Sequence, residues 1–444
     1  MGDAETWAET TYTYDSRQRL IGVSGDGMTT SYTYDGVGNL LSSTTGYNTT
    51  SYTYDRYGNV LTMTDPGYQT ETYSYTALGK PLSKTDRKGV TTTYVYDAMG
   101  RLVSETAGTD YRQYTYTPTG QIATEENNWH RTSYTYDGAG RVVGAAETEL
   151  LTASGNTGSL VYNKAYTYDA NDNRTGFTLT KGDTTVQNVT YTYDTLNRLS
   201  TVKENGVTQA TYTYDTNGNR ASLTYANGVT ETYTYNKANW ITGVTNKKGS
   251  EVLSSFAYTY YAGGNQKSKT DHTGLVTGYT YDGMGRLTQE TESSGLTLSY
   301  TYDSAGNRSS MAATGTENYN KTYAYDGNNC IGYVVKHNGI TSESVSYAHD
   351  ANGNMLSETV SGGSYTGYTY NNFNQLITTG NANGSMSYAY NPQGIRTGKQ
   401  VNLTAISYLL DGGNVVAEQY GGTIDSTYLR GANLISRTRY NEAS

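Results

Sequence analysis

The chain alternates aromatic and small polar positions with a period of two, broken at regular intervals by a turn signal. Ser31 to Leu40, Ser-Tyr-Thr-Tyr-Asp-Gly-Val-Gly-Asn-Leu, is the clearest example. Tyr32 and Tyr34 are two residues apart, which on a strand puts both on one face, with Ser31 and Thr33 on the other. Tyr and Thr are both good strand formers. Asp35 and Gly38 occupy the first and fourth places of a type I turn. The Asp35 carboxylate suits a backbone N–H two residues on. A turn that closes a hairpin through a bulge needs positive φ at the fourth place. Leu40 opens the return strand. The unit recurs nineteen times, with first tyrosines from Tyr12 to Tyr408 and spacings of 20 to 32 residues. A period of that length held along the chain predicts a repeat architecture rather than a single globular core.

The fourth position tests the hairpin. It is Gly in twelve copies and Asn in five, including Asn197, Asn329 and Asn414, and only Gln18 and Asp172 differ. Gly and Asn tolerate a left-handed backbone best. The predicted turn and ladder set is therefore Tyr32, Tyr34, Asp35 and Gly38 in one repeat. Tyr134, Tyr136, Asp137 and Gly140 form it in a second, and Tyr279, Tyr281, Asp282 and Gly285 in a third. This turn makes Tyr34 face Leu40. Four copies carry arginine at the Leu40 place, namely Arg174, Arg220, Arg308 and Arg396. Each is expected either to lie over the tyrosine it faces or to stay solvated. At the aspartate place Asn keeps turn capacity, whereas Tyr261 does not.

The predicted fold is all-β: antiparallel hairpin repeats in one continuous spiralling sheet, an open coil or hollow shell. Residues 1–10 read as a lead-in, 11–437 as one repeat domain and 438–444 as a tail that begins a further core. Near 143–165 lies an insertion, within which Ala145 to Ala153 suits a helical turn or two or an extended hairpin loop. With two strands per repeat at about 4.8 Å each, nineteen repeats cover about 180 Å of sheet. That is one wrap of a shell about 60 Å across, by the same spacing.

Only 35% of the 444 residues are hydrophobic, and 49 are tyrosine. Composition alone points to disorder, but turn chemistry and period agree across the copies, which is the mark of a specified fold. The reading that reconciles them is a sheet wet on both faces, held by ladder hydrogen bonds and by tyrosines stacking on their neighbours. The net charge of −9 comes without a basic stripe, which argues against nucleic-acid binding. No apolar run is long enough for a spanning helix, and the N-terminus lacks a signal-peptide pattern. Met1 to Thr6 formally fits a myristoylation pattern, but so short a pattern ahead of a repeat array reads better as a domain boundary.

Candidate chemistry is thin. His130, His272, His337 and His349 are scattered, with no recurring nucleophile beside them. Cys330 reads as a turn residue at an Asn329-Cys330 corner. Asp215-Thr216-Asn217-Gly218-Asn219 and Asp350-Ala351-Asn352-Gly353-Asn354 imitate the start of a calcium loop. After Asp215, however, the sixth residue is Arg220 and the twelfth Ala226, so the pattern fails. No enzyme activity, metal or cofactor is expected. Tyrosine-rich faces and the insertion loop leave open a second reading, an adhesion module for glycans or a partner protein.

The Tyr-x-Tyr-Asp-x-x-Gly-Asn/Arg-Leu unit resembles the YD repeat of the Rhs family, shared with teneurins and with the C components of insecticidal toxin complexes. The likeness runs from about residue 11 to 437 and is to the repeat region of a bacterial Rhs or wall-associated protein. Tyr428-Leu429-Arg430-Gly431 with Leu434-Ile435-Ser436-Arg437 is similar to the segment entering the Rhs-associated core. The resemblance implies a β-shell and a secreted or cell-surface place. As partners it implies flanking repeats, an Rhs-type core and a C-terminal toxin cargo. None of that core follows Tyr440, so neither its autoproteolysis nor toxin activity carries over to any residue here. Open strand edges at the two ends would favour edge-to-edge self-association.

Overall fold

The computed structural model describes residues 9–150 and 161–440. Among these residues there are forty strands and no helix. The strands form one forty-stranded antiparallel sheet. The repeat explains the hairpins. Tyr34 faces Leu40 across the pair, and the register shifts between Thr33 and Tyr34, the bulge that a type I turn with a left-handed fourth residue requires. The same shift recurs at the second tyrosine of Tyr54, Tyr136, Tyr214 and Tyr281.

The left-handed rule holds, but not for the set of residues expected. All twelve glycines at the fourth position have positive φ, Gly38 at 111° and Gly285 at 75° among them. Gln18 and Asp172, the two apparent exceptions, also adopt it, at 62° and 66°. Asn329 and Asn414 do not. Their hairpins run one residue further, pairing Asp326 with Asn329 and Asp411 with Asn414 around two-residue turns. Gly327 and Gly412 take the positive φ there, at 57° and 58°. Cys330 accordingly lies within a strand opposite Tyr325, not at a corner. Tyr261, expected to lack turn capacity, supports the common turn through its backbone. Its N–H donates to the Asn265 carbonyl at 2.9 Å, and its carbonyl accepts from Gly264 at 3.0 Å.

A twentieth hairpin follows the nineteen of the sequence reading. Thr423–Arg430 pairs with Leu434–Arg439, with Arg430 opposite Leu434 and the usual shift before it. The segment read as entry to a core thus continues the sheet. At the insertion, Val142–Glu149 and Val161–Tyr168 are strands, so Ala145 to Glu149 is extended rather than helical. The centre of that insertion, 151–160, lies outside the described residues, as do 1–8 and 441–444.

Two compact units divide the chain. One joins the segment up to Thr93 to Phe256–Tyr368, the other Tyr94–Ser255 to the segment from Thr369. In the first unit, turns of later hairpins meet opposite turns of earlier ones. The Tyr47 hydroxyl donates to Asp303 at 2.9 Å, the Asn48 amide to Asn328 at 2.6 Å and the Asn352 amide to Asp86 at 2.6 Å. The second unit repeats the arrangement. Asp110 accepts from the Asn372 backbone and amide, both at 2.8 Å, and the Asn127 amide donates to the Tyr390 carbonyl at 2.8 Å. The partners in the first unit are 256 to 280 residues apart, so the chain meets itself after about twelve repeats and not nineteen. The nineteen-repeat figure assumed a circumference that nothing in the repeat fixes.

Most side chains are half-buried, as a wet sheet implies, but the second unit has a true core. Phe177, Leu179, Val189, Val202 and Leu223 are at most 2% exposed, and Leu409, Val416, Ala417 and Leu429 from the last hairpins pack with them.

Candidate functional site

The repeated feature that does mechanical work is a clamp at each hairpin turn. Asp35 Oδ1 accepts the N–H groups of Val37, Gly38 and Asn39 at 2.9, 2.7 and 2.9 Å. Asn39 then donates its amide to Asp35 Oδ2 at 2.8 Å. Where the residue after the glycine is arginine, the guanidinium takes the amide's place. Arg141 Nε donates to Asp137 Oδ2 at 2.8 Å and Arg286 Nε to Asp282 Oδ2 at 2.6 Å. The guanidinium and backbone bonds from Arg141 hold the Asp137 carboxyl below its usual range.

That arginine also reaches the next repeat. Arg101 lies 4.4 Å from the ring centre of Tyr116, Arg141 4.9 Å from Tyr168 and Arg286 4.5 Å from Tyr302. Each ring is the second tyrosine of the following repeat. Of the four arginines left open between covering the tyrosine they face and staying solvated, each covers a tyrosine, but a different one. Arg220 lies over Tyr233, and Arg308 and Arg396 lie over first tyrosines on either side. Arg174 sits among Tyr166, Phe177 and Tyr191. A side chain leaving the bulge leans along the sheet and so reaches neighbouring rings rather than the one directly opposite.

The second tyrosine has a further role that period and composition did not reveal. Tyr34 donates its hydroxyl to the Leu20 carbonyl at 2.9 Å, and Tyr136 to the Ile122 carbonyl at 2.7 Å. Tyr54, Tyr116, Tyr214 and Tyr302 repeat the bond to the same place in the preceding hairpin. The acceptor is the residue that faces the preceding second tyrosine, so each hydroxyl ties one repeat to the one before. This bond and the arginine cap, more than ring-on-ring stacking, connect these repeats. A Tyr at fixed offset from an apolar residue one period earlier is the signal that would have found it.

First tyrosines vary more. Tyr32 is half-buried opposite Ser43. Tyr134 donates to Glu125, and burial followed by that bond pushes its phenol up. Tyr279 faces Glu290, and its carbonyl accepts from the Tyr261 hydroxyl at 2.9 Å. Tyr281 meets the Tyr261 ring edge-on at 6.2 Å.

The residues weighed for chemistry do not gather. His130 and His349 lie in different units, and among the described residues no group of three acidic, His or Cys side chains is placed to hold a metal. Asp215 spends its Oδ1 on Asn217 and Asn219 N–H groups at 2.9 and 2.8 Å, which is turn chemistry. The first unit has a polar cleft of about 560 Å³ where Asp65, Arg87, Asn329 and His349 meet. Within it Arg87 is already engaged, 2.9 Å from Asp65. No helix among the described residues is long and apolar enough to cross a membrane.

Comparison with known proteins fits this geometry. The RHS Repeat family model matches residues 75–110, 214–251, 260–297 and 285–318, and the Teneurin YD-shell model matches residues 4–82. None of the curated protein sequences matches significantly. Among solved structures, the TcdB2-TccC3-Cdc42 crystal structure is similar with a TM-score of 0.76 at 17% identity, over 95% of this chain and 25% of the other. The Photorhabdus luminescens Tc holotoxin pore gives 0.75 at 17% identity, over 94% and 24%. TcdB2-TccC3 without its hypervariable C-terminal region gives 0.66 at 15% identity, over 97% and 28%. This chain spans about a quarter of the length of those chains. With the turn clamp, the tyrosine tie and these matches together, the chain carries RHS-type repeats over the matched residues and has the fold that those toxin structures contain.

Proposed function

We propose that the chain is a wall segment of a β-sheet enclosure. It holds or displays a toxin or other domain carried elsewhere in the same protein, and it has no catalytic chemistry of its own. The observation that carries this reading is the docking of turn on turn within each unit, Tyr47 on Asp303 in one and Asp110 on Asn372 in the other. Within each unit such contacts join a later hairpin to an earlier one, as the wall of an enclosure requires. The fold shared with the TcdB2-TccC3 structures supports it. The same likeness supports work outside the cytoplasm, secreted or at the cell surface. Flanking repeats are the natural partners of the first strand, Thr11–Tyr14, which is exposed along its length, because an open edge invites a further strand or a second copy.

The glycan-binding reading draws less support, since many second-tyrosine hydroxyls are spent on backbone carbonyls of the preceding repeat. Small-angle scattering of the purified chain separates the two. A hollow band supports the wall; a thin solid rod means that the tyrosine faces pack on one another and moves adhesion ahead.

A further inference from the structure

The second unit contains a cavity of about 310 Å³, with Glu125, Tyr134, Glu147, Lys164, Tyr166 and Gln393 in its lining. Two carboxylates reach it, and they are not equivalent. Glu147 is paired with Lys164, whose ammonium also donates to the Leu410 carbonyl. That pair is neutral. Glu125 is only 3% exposed, yet among the described residues no lysine, arginine or histidine stands within ion-pair distance of it. Its Oε1 accepts from both the Tyr134 hydroxyl and the Gln393 amide, while Oε2 has no donor among the described residues. Oε2 is not among the sealed unpartnered atoms, so it opens on the cavity. Glu125 is thus the lining carboxylate with no cation beside it, and an added cation would meet an acceptor there.

We propose that this cavity binds an organic cation, an alkylammonium or guanidinium head, with Glu125 Oε2 as its acceptor. The walls fit that chemistry. Tyr134 and Tyr166 line the same space, and aromatic rings are good neighbours for cations, as Arg174 over Tyr166 already shows. The volume suits a lysine side chain or a short diamine and lies at the small end of ligand sites. A hard metal ion fits poorly, because it needs six or more oxygen ligands and among the described residues no group of three acidic, His or Cys side chains is placed to hold one. An anion would meet an excess negative charge. The inference stands independently of any enclosed cargo.

The test is calorimetric titration of the full chain with 1,4-diaminobutane and, separately, with a blocked Ala-Lys-Ala peptide. Saturable one-to-one binding is expected, at least tenfold weaker in Glu125→Gln with an unchanged circular dichroism spectrum. Binding of the diamine alone identifies a free amine as the ligand; binding of both identifies a side chain of a polypeptide. Uncharged 1,4-butanediol on the unaltered chain gives a control that needs no variant and should show no binding. The proposal is overturned if neither cation saturates the site, if butanediol binds as well as the diamine, or if a folded Glu125→Gln retains full affinity.

Discussion

The hairpins of Met28–Thr85 and those of Val161–Tyr225 use the same clamp and the same tyrosine tie, yet only the second set lies over a dry core. The difference sits at one position per repeat, the residue opposite the first tyrosine. In the earlier stretch Tyr32, Tyr52 and Tyr73 face Ser43, Met63 and Lys84. In the later one Tyr166, Tyr191 and Tyr212 face Phe177, Val202 and Leu223. Three apolar residues in succession make a patch large enough for Leu409, Val416 and Leu429 to cover. The clamp thus builds the hairpin wherever it occurs, and the facing position decides whether the sheet has anything to pack against.

The largest test of that contrast is Leu223→Ala. Removing a leucine that is 1% exposed leaves a cavity and costs about 2–5 kcal/mol. Met63→Ala, at the equivalent half-buried place, should cost clearly less. Chemical denaturation followed by tyrosine fluorescence reads both, and equal costs would mean that the two stretches do not differ in the way argued. Repeat proteins need not unfold in one step. Leu223→Ala is therefore expected to shift an early or late phase rather than the whole transition.

Next comes the turn. Gly285 has φ of 75°, and an added Cβ would meet only the Asn265 amide at an ordinary 3.9 Å, so Gly285→Val is penalised chiefly by backbone strain, about 1–3 kcal/mol. Gly285→Asn should lose much less, because asparagine occupies this place at Asn197, Asn239 and Asn374 with positive φ. A valine variant as stable as the parent would sink the turn assignment. The tyrosine tie is smaller still. Tyr214→Phe deletes the bond to the Leu199 carbonyl and should cost about 1 kcal/mol. The matching change at Tyr34 should cost a similar amount, since the tie is common to both regions.

What could be read from the sequence follows from where each feature is encoded. The hairpin, its bulge and the Tyr34–Leu40 pair depend on residues within six positions of each other, so local chemistry reveals them. The left-handed backbone at Gln18 shows the limit. Residue preference disfavours it, but Asp15 accepts the Arg17 and Arg19 N–H groups at 2.8 and 2.9 Å and imposes the turn. Asn329 and Asn414 err the other way, because a glycine just after the aspartate offers a tighter turn that wins. Features that join distant repeats were not legible. The pairing of Arg174 with Asp411 at 2.5 Å depends on how many repeats pass before the chain meets itself, which no single repeat states. The cation cavity likewise needs Gln393 beside Glu125, 268 residues away.

The last distinction concerns acid. His130 is buried in the second unit beside Glu147 and Lys164, and desolvation holds its pKa below the ordinary 6.5, with Lys164 adding to the effect and Glu147 opposing it. A lowered folded value means that the unfolded chain takes up the proton first. The stability this histidine contributes is therefore complete above pH 6.5 and falls as the pH drops from there to the folded value. The turn aspartates also have depressed values, so their contribution survives until the pH nears the ordinary carboxylate range of 3.8 and only then declines. As the pH falls from 6.5 to 5 the His130 strand should soften, less than His130 alone would give because burial pushes up the carboxyl of Glu149 opposite it, while the hairpins of Met28–Thr85 should not. Hydrogen exchange at the two pH values reads this directly, in the amides of His130–Tyr136 against those of Asn48–Tyr54. His130→Asn should abolish the difference, and equal loss of protection in both strands would place the acid response in the clamp common to all repeats.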